Sequence, residues 1–141
     1  MNNVKRLVVF IVMAAVAAAC LVSVEEAHAY PKLSKKQVRI AQRNVPRRAA
    51  KWAPLVNKYF SKYLWKVRHR KLRRNELRHL LWVIWRESRG NWRCVYRGHY
   101  GLFQVSGGHF RGRNRLRPVS NVATAAMLYA RLGWRPWAAT W

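Results

Sequence analysis

The segment that most constrains this chain is a predicted helix over residues 75–89. At 100° per residue its apolar residues share one wide side, so most of the helix must be buried in a core. Glu87 falls at the edge of that apolar side and away from the arginine face. Because apolar surroundings disfavour the charged form of a carboxyl group, Glu87 is suited to act as a general acid. The alternative is a structural carboxylate that Arg86 or Arg89 neutralises.

Acidic side chains are scarce, which limits any acid chemistry to very few residues. The 141 residues contain four Glu and no Asp, against 29 Lys and Arg. Glu76 lies in the first turn of the predicted helix, where the helix dipole favours a negative charge. It precedes Glu87 by eleven residues, or about 16 Å along the axis at ~1.5 Å per residue. That separation is too large for the two carboxyls of the usual glycosidase mechanisms.

One mechanism needs only a single protein carboxyl. The carboxyl protonates the leaving glycosidic oxygen and then, as a base, removes a proton from a substrate hydroxyl that closes a ring. The sequence has no HExxH motif or CxxC pair for zinc and too few acids for calcium, so we expect no metal site. Among the histidines, His99 and His109 are retained as candidates to line a site.

Residues 1–29 are typical of a secretory signal peptide. Lys5 and Arg6 precede an apolar run over 7–24, and Ala-His-Ala at 27–29 fits a cleavage site. We therefore expect cleavage near Ala29 and a protein that is secreted or associated with the cell wall. There are two alternatives: the apolar run could stay as a membrane anchor, or Cys20 could carry a lipid.

Positive charge dominates the rest of the chain. Residues 1–29 hold two basic and two acidic residues, so cleavage leaves the net charge at +25. Such a surface attracts polyanions, and the candidates are an anionic cell-wall polymer, an anionic lipid surface and nucleic acid. The export signal argues against nucleic acid. Residues 30–51 are predicted as a basic arm or short helix, and Cys94, the only cysteine left after cleavage, as a small buried residue.

The remaining residues predict one mainly α domain over 52–141 with little or no β-sheet. Apolar residues recur at helical spacing over 52–65 and 121–132, whereas 92–117 is rich in Gly, Tyr and Arg and reads as loops. The length leaves room for one core. We expect a monomer.

Three motifs occur in a fixed order: WRESRGNW over 85–92, YGLFQ over 100–104, and a segment over 121–137 that ends in GWRPW. This set resembles the lytic transglycosylase-like proteins of the lysozyme superfamily, and the likeness covers 52–141. The resemblance implies a compact lysozyme-like helical domain. It also implies cleavage of the β-1,4 bond between N-acetylmuramic acid and N-acetylglucosamine in peptidoglycan, a 1,6-anhydro product and no cofactor.

The resemblance assigns the catalytic acid and base role to Glu87 and makes the YGLFQ segment one wall of a glycan cleft. The candidate substrate-binding residues are Ser88, His99, Tyr100, Gly101, Leu102, Phe103, Gln104, Tyr129 and Trp137. Many relatives place a site tyrosine seven residues after the Asn that maps to Asn121. Leu128 occupies that position here, and Tyr129 follows about 100° further round the helix.

Two other functions fit the same residues. A lysozyme-type hydrolase would cut the same bond with water and leave a reducing-end sugar. A catalytically inactive cationic protein would bind wall polymer or nucleic acid through the arginine clusters at 68–74 and 111–117.

Overall fold

Helices dominate the part of the chain that the structure, a computed structural model, describes: residues 30–140. The protein is mainly helical, with 61% helix and 5% strand, which confirms the predicted mainly α class with little β-sheet. The predicted signal peptide lies outside the described residues. Within them, no helix combines the length and the hydropathy that crossing a bilayer requires.

The elements follow one another in a simple order. Over residues 30–140 the α-helices are α1 (Lys35–Gln42), α2 (Arg47–Ala50), α3 (Ala53–Arg68), α4 (Arg74–Ser88) and α5 (Pro118–Leu132). Between α4 and α5, strands β1 (Val95–Tyr96), β2 (His99–Tyr100) and β3 (Val105–Ser106) form a small antiparallel sheet in that order. Two 3₁₀ helices, Gly107–Phe110 and Arg135–Thr140, complete the chain.

The core lies where α3, α4 and α5 meet. Phe60 of α3 is fully buried, and its ring centroid lies 5.4 Å from that of Phe103 and 5.5 Å from that of Tyr129 in α5. The apolar side predicted for α4 is buried, with Leu77, Leu80, Leu81 and Ile84 each 0% exposed. Burial of this apolar area is the main force that fixes α4 in the domain.

Of the residues 30–51, predicted as a basic arm or short helix, those from Pro31 onward belong to the same compact unit as the later helices. Helix α1 starts at Ser34, whose hydroxyl accepts from the Gln37 amide while the Gln37 side chain accepts from the Ser34 amide. Ala41 and Ala49 are fully buried on α1 and α2, which both pack on α4. Small apolar side chains allow this close packing of α1 and α2 against α4.

Candidate active site

The end of α4 is fixed by a close backbone approach. Gly90 has φ +74, and a Cβ atom there would lie 2.3 Å from the carbonyl oxygen of Arg48 in α2. The Trp52 indole donates a hydrogen bond to the Gly90 carbonyl at 3.1 Å. A left-handed glycine is therefore required at this point, and the last helical turn, which carries Glu87, is anchored against α2 and the start of α3.

Glu87 is half-buried on that last turn, and its carboxylate accepts a hydrogen bond from the Thr140 hydroxyl. The preceding residue, Arg86, donates to the Thr140 carbonyl. Thr140 and Arg86, together with Trp82 and Val83, line a cavity of about 260 Å³ beside this turn. Glu87 is thus connected to this cavity through Thr140, which lines the cavity and donates to the Glu87 carboxylate.

The arginines beside Glu87 have other partners. Arg86 is engaged with Thr140, and the Arg89 guanidinium lies 4.9 Å from the centre of the Trp85 ring. Among residues 30–140, the ion pairs involve Glu76 and none involves Glu87. The alternative of a carboxylate neutralised by Arg86 or Arg89 therefore lacks the contacts that it requires.

Ser88 connects α4 to the YGLFQ segment. Its buried hydroxyl lies 3.0 Å from the carbonyl oxygen of Ile84 and 2.9 Å from that of Leu102. The hydroxyl is thus used within the fold, and Ser88 positions the turn after Glu87 against residues 100–104 instead of offering a free group to substrate.

Asn121, which the sequence analysis assigned no role, organises the YGLFQ turn. Its side chain is 1% exposed, accepts from the Phe103 amide at 3.0 Å and donates to the Tyr100 carbonyl at 2.7 Å. A Cβ atom on Gly101, which has φ +72, would lie 2.5 Å from the Asn121 amide nitrogen. Gln104 closes the turn by donating to the carbonyls of Gly101 and Cys94 at 3.0 and 3.1 Å.

The other predicted binding residues divide between core and surface. Leu102 and Phe103 are fully buried, and Trp137 is 4% exposed with its indole donating to the Phe103 carbonyl at 3.0 Å. These three side chains therefore belong to the buried core on which the YGLFQ turn packs. Tyr100 is half-buried, and its hydroxyl accepts from Arg115 at 3.2 Å, whereas His99 is exposed on β2.

Tyr129, on α5, contacts the N-terminal end of α4, at the opposite end of that helix from Glu87. Its buried hydroxyl donates to Glu76 at 3.0 Å, and Glu76 also binds Arg70 at 2.9 Å and accepts from the Arg73 amide at 2.8 Å. Burial, and next the Glu76 charge, raise the pKa of Tyr129 from 10.0 to about 12. Since Glu76 and Glu87 are about 16 Å apart along the helix, Tyr129 does not join Glu87.

No protein-family model, no curated protein and no solved structure matches this chain. Within residues 30–140, no three side chains of the types His, Cys, Asp or Glu lie together as metal ligands would.

Proposed function

We propose that this protein is an exported peptidoglycan lytic transglycosylase with a lysozyme-like fold and a single catalytic acid, Glu87. The observation that carries the proposal is the difference between the two carboxylates of α4. Glu76 is held by Arg70, Tyr129 and a backbone amide, whereas Glu87 has no ion pair among residues 30–140 and accepts a hydrogen bond from the Thr140 hydroxyl. Glu87 is therefore the acid that is available for chemistry.

The single acid defines the reaction. Protonated Glu87 gives its proton to the oxygen of the bond between N-acetylmuramic acid and N-acetylglucosamine, and that bond breaks. The resulting carboxylate removes a proton from the C6 hydroxyl of the muramic residue, whose oxygen bonds to the anomeric carbon. The product is a 1,6-anhydro sugar, Glu87 is protonated again, and neither water nor a second carboxyl is consumed.

The fixed turn beside α4 supports the same proposal. Asn121 and Gln104 each make two hydrogen bonds to backbone carbonyls or amides in or next to the YGLFQ turn, and Ser88 links this turn to the end of α4 that carries Glu87. Because both amide hydrogens of Gln104 are donated to carbonyls, this side chain holds the turn and is not free to donate to a water molecule. The proposal assigns this preformed turn to one wall of the glycan cleft.

Product analysis tests the proposal. Purified protein is incubated with insoluble peptidoglycan, and the soluble muropeptides are identified by mass spectrometry, with Glu87→Gln as the inactive variant and Glu76→Gln as the matched control. We expect anhydro products from the wild type and from Glu76→Gln only. Reducing-end products would indicate the hydrolase, and equal release by wild type and Glu87→Gln would overturn the assignment of Glu87. A wild type that binds the wall without releasing products would indicate the inactive cationic protein.

A further inference from the structure

Two adjoining cavities lie at the opposite end of α4 from Glu87. A cavity of about 390 Å³ is lined by Arg68, Arg70, Arg131 and Arg135 together with Glu76 and Trp134. A second cavity, of about 480 Å³, is lined in part by Arg73 and Arg74 and also by Glu76 and Trp134. Because the cavities share two residues, they adjoin, and we call the pair the arginine groove.

The charge of the arginine groove is strongly positive. Six arginines face one carboxylate, and both oxygens of that carboxylate are already used. One Glu76 oxygen is bound by Arg70 and Tyr129, and the other by Arg70 and the Arg73 amide. The glutamate therefore compensates little of the charge that the groove presents to a ligand, and an anion is the ligand that this field favours.

Two of the arginines are held in place before any ligand arrives. Arg68 donates to the carbonyl oxygens of Ala130 and Arg131 at 2.6 and 3.1 Å, and Arg70 is fixed by Glu76 at 2.9 Å. A fixed guanidinium loses little conformational entropy when it binds a phosphate. Arg131 and Arg135 are exposed beside them, at the mouth of the same cavity.

We propose that the arginine groove binds the phosphodiester backbone of an anionic cell-wall polymer. Arginine matches phosphate through paired N–H donors, and two adjoining cavities suit a slim chain with repeated phosphates. Nucleic acid fits less well, because single strands need aromatic faces on which bases stack. The Trp134 ring instead packs against Tyr129, with centroids 4.7 Å apart, and lies 6.2 Å from His79.

The position of the groove gives it a role beside the proposed cleavage. It includes Glu76 at the opposite end of α4, about 16 Å from Glu87 along the helix axis, so a polymer can occupy it while a glycan binds at Glu87. Binding there would hold the domain at polymer-bearing wall. The inference rests on the proposed function only for the cell-wall setting, because the binding itself needs no cleavage.

Binding of poly(glycerol phosphate) tests the inference in the absence of peptidoglycan, so its failure is separate from a failure of the glycan-cleaving proposal. The test variant is Arg131→Gln with Arg135→Gln. The matched control, Arg111→Gln with Arg113→Gln, removes the same charge from another exposed loop. Titrations at several salt concentrations give affinity and salt dependence. We expect about tenfold weaker binding for the groove variant and about twofold for the control, with a flatter salt dependence for the groove variant.

Equal losses in the two variants would overturn the inference, because they would mean that only total charge matters. Single-stranded DNA of equal charge serves as the competitor. If it binds more tightly than the polymer and shows the same sensitivity to Arg131 and Arg135, the groove is a nucleic-acid site and the proposal is wrong. A charge-preserving variant, Arg131→Lys with Arg135→Lys, should bind between the wild type and the glutamine variant, since lysine keeps the charge but not the paired donors.

Discussion

Glu76 and Glu87 are the same residue type on nearly the same side of one helix, yet their surroundings differ completely. Glu76 is 15% exposed and bound by Arg70, the Arg73 amide and Tyr129. Glu87 accepts from the Thr140 hydroxyl and has no ion pair among residues 30–140. The comparison shows that two carboxylates on the same side of one helix can have different partners, and the proposed function assigns catalysis to the one without an ion pair.

The largest expected effect comes from Glu87→Gln, which keeps the shape of the side chain and removes its proton chemistry. We expect the rate of muropeptide release to fall by at least about 100-fold, because a general acid and base contributes that much or more. The free energy of unfolding should change by less than about 0.5 kcal/mol, since no ion pair is lost. Rates come from timed product analysis and stabilities from urea titration. A variant that loses stability in proportion to its activity would mean that Glu87, like Glu76, has a structural role.

The next largest effect is expected from Gly101→Ala, which should disrupt the YGLFQ turn. The new Cβ would displace the Asn121 side chain and break its two buried hydrogen bonds. We expect a loss of about 3 kcal/mol in unfolding free energy, from a left-handed alanine and two hydrogen bonds. Gly98→Ala is the matched control, since Gly98 also has positive φ, +77, but open space around it. It should lose only about 1 kcal/mol, and equal losses would show that Asn121 is not the cause.

Glu76→Gln should produce the reverse of the Glu87 result. The variant loses the ion pair with Arg70, so we expect the unfolding free energy to fall by about 2 kcal/mol in urea titrations. Cleavage per folded molecule should stay near the wild-type rate. An activity loss as deep as that of Glu87→Gln would mean that both carboxylates serve the reaction and that the one-acid mechanism is wrong.

Tyr129→Phe tests the contact between Tyr129 and Glu76 through the pH dependence of the unfolding free energy. The pKa of Tyr129 is raised to about 12, so the folded protein keeps this proton at pH values where the unfolded chain has lost it. The stabilisation is complete below pH ~10 and is lost as pH rises toward ~12, by about 1.4 kcal/mol per pH unit. At pH 7 the variant should be about 1 kcal/mol less stable than wild type. Urea titrations of both proteins from pH 8 upward should show that gap closing above pH ~10 and then reversing, and a constant gap would contradict this account.

The smallest effect is expected from Thr140→Val, which removes the hydroxyl that occupies one Glu87 oxygen. Because a substrate oxygen must take over this contact, the variant should cleave about two- to fivefold faster, as the loss of a competing hydrogen bond of ~0.5–1 kcal/mol implies. Initial rates on soluble glycan chains are the measurement. A slower variant would instead show that Thr140 orients Glu87 for catalysis.

Periodicity was sufficient to predict α4, its buried side and the position of Glu87 on its last turn. The scarcity of acids was equally informative: the distance between Glu76 and Glu87 and the structural role of Glu76 both follow from helix geometry. These features depend on local sequence, where a period of 3.6 residues decides which side chains share a side.

Features that depend on distant contacts could not be predicted. Asn121 bonds to backbone groups 18 and 21 residues away, and no local pattern indicates that pairing. Tyr129 was retained as a site residue, but one step of helix rotation directs it to Glu76. The packing of α1 and α2 was missed because it relies on alanines, which carry little hydrophobic signal in a segment rich in arginine and lysine.

The central claim, that one protein acid is enough because the substrate supplies the nucleophile, is tested most directly by cleavage in H₂¹⁸O. Muropeptides released by the wild-type protein are analysed by mass spectrometry for the label at the newly formed sugar end. The account predicts anhydro ends without ¹⁸O, and no such products from Glu87→Gln. Reducing ends that carry ¹⁸O would contradict it, because water would then be the nucleophile and a second activating group would be required.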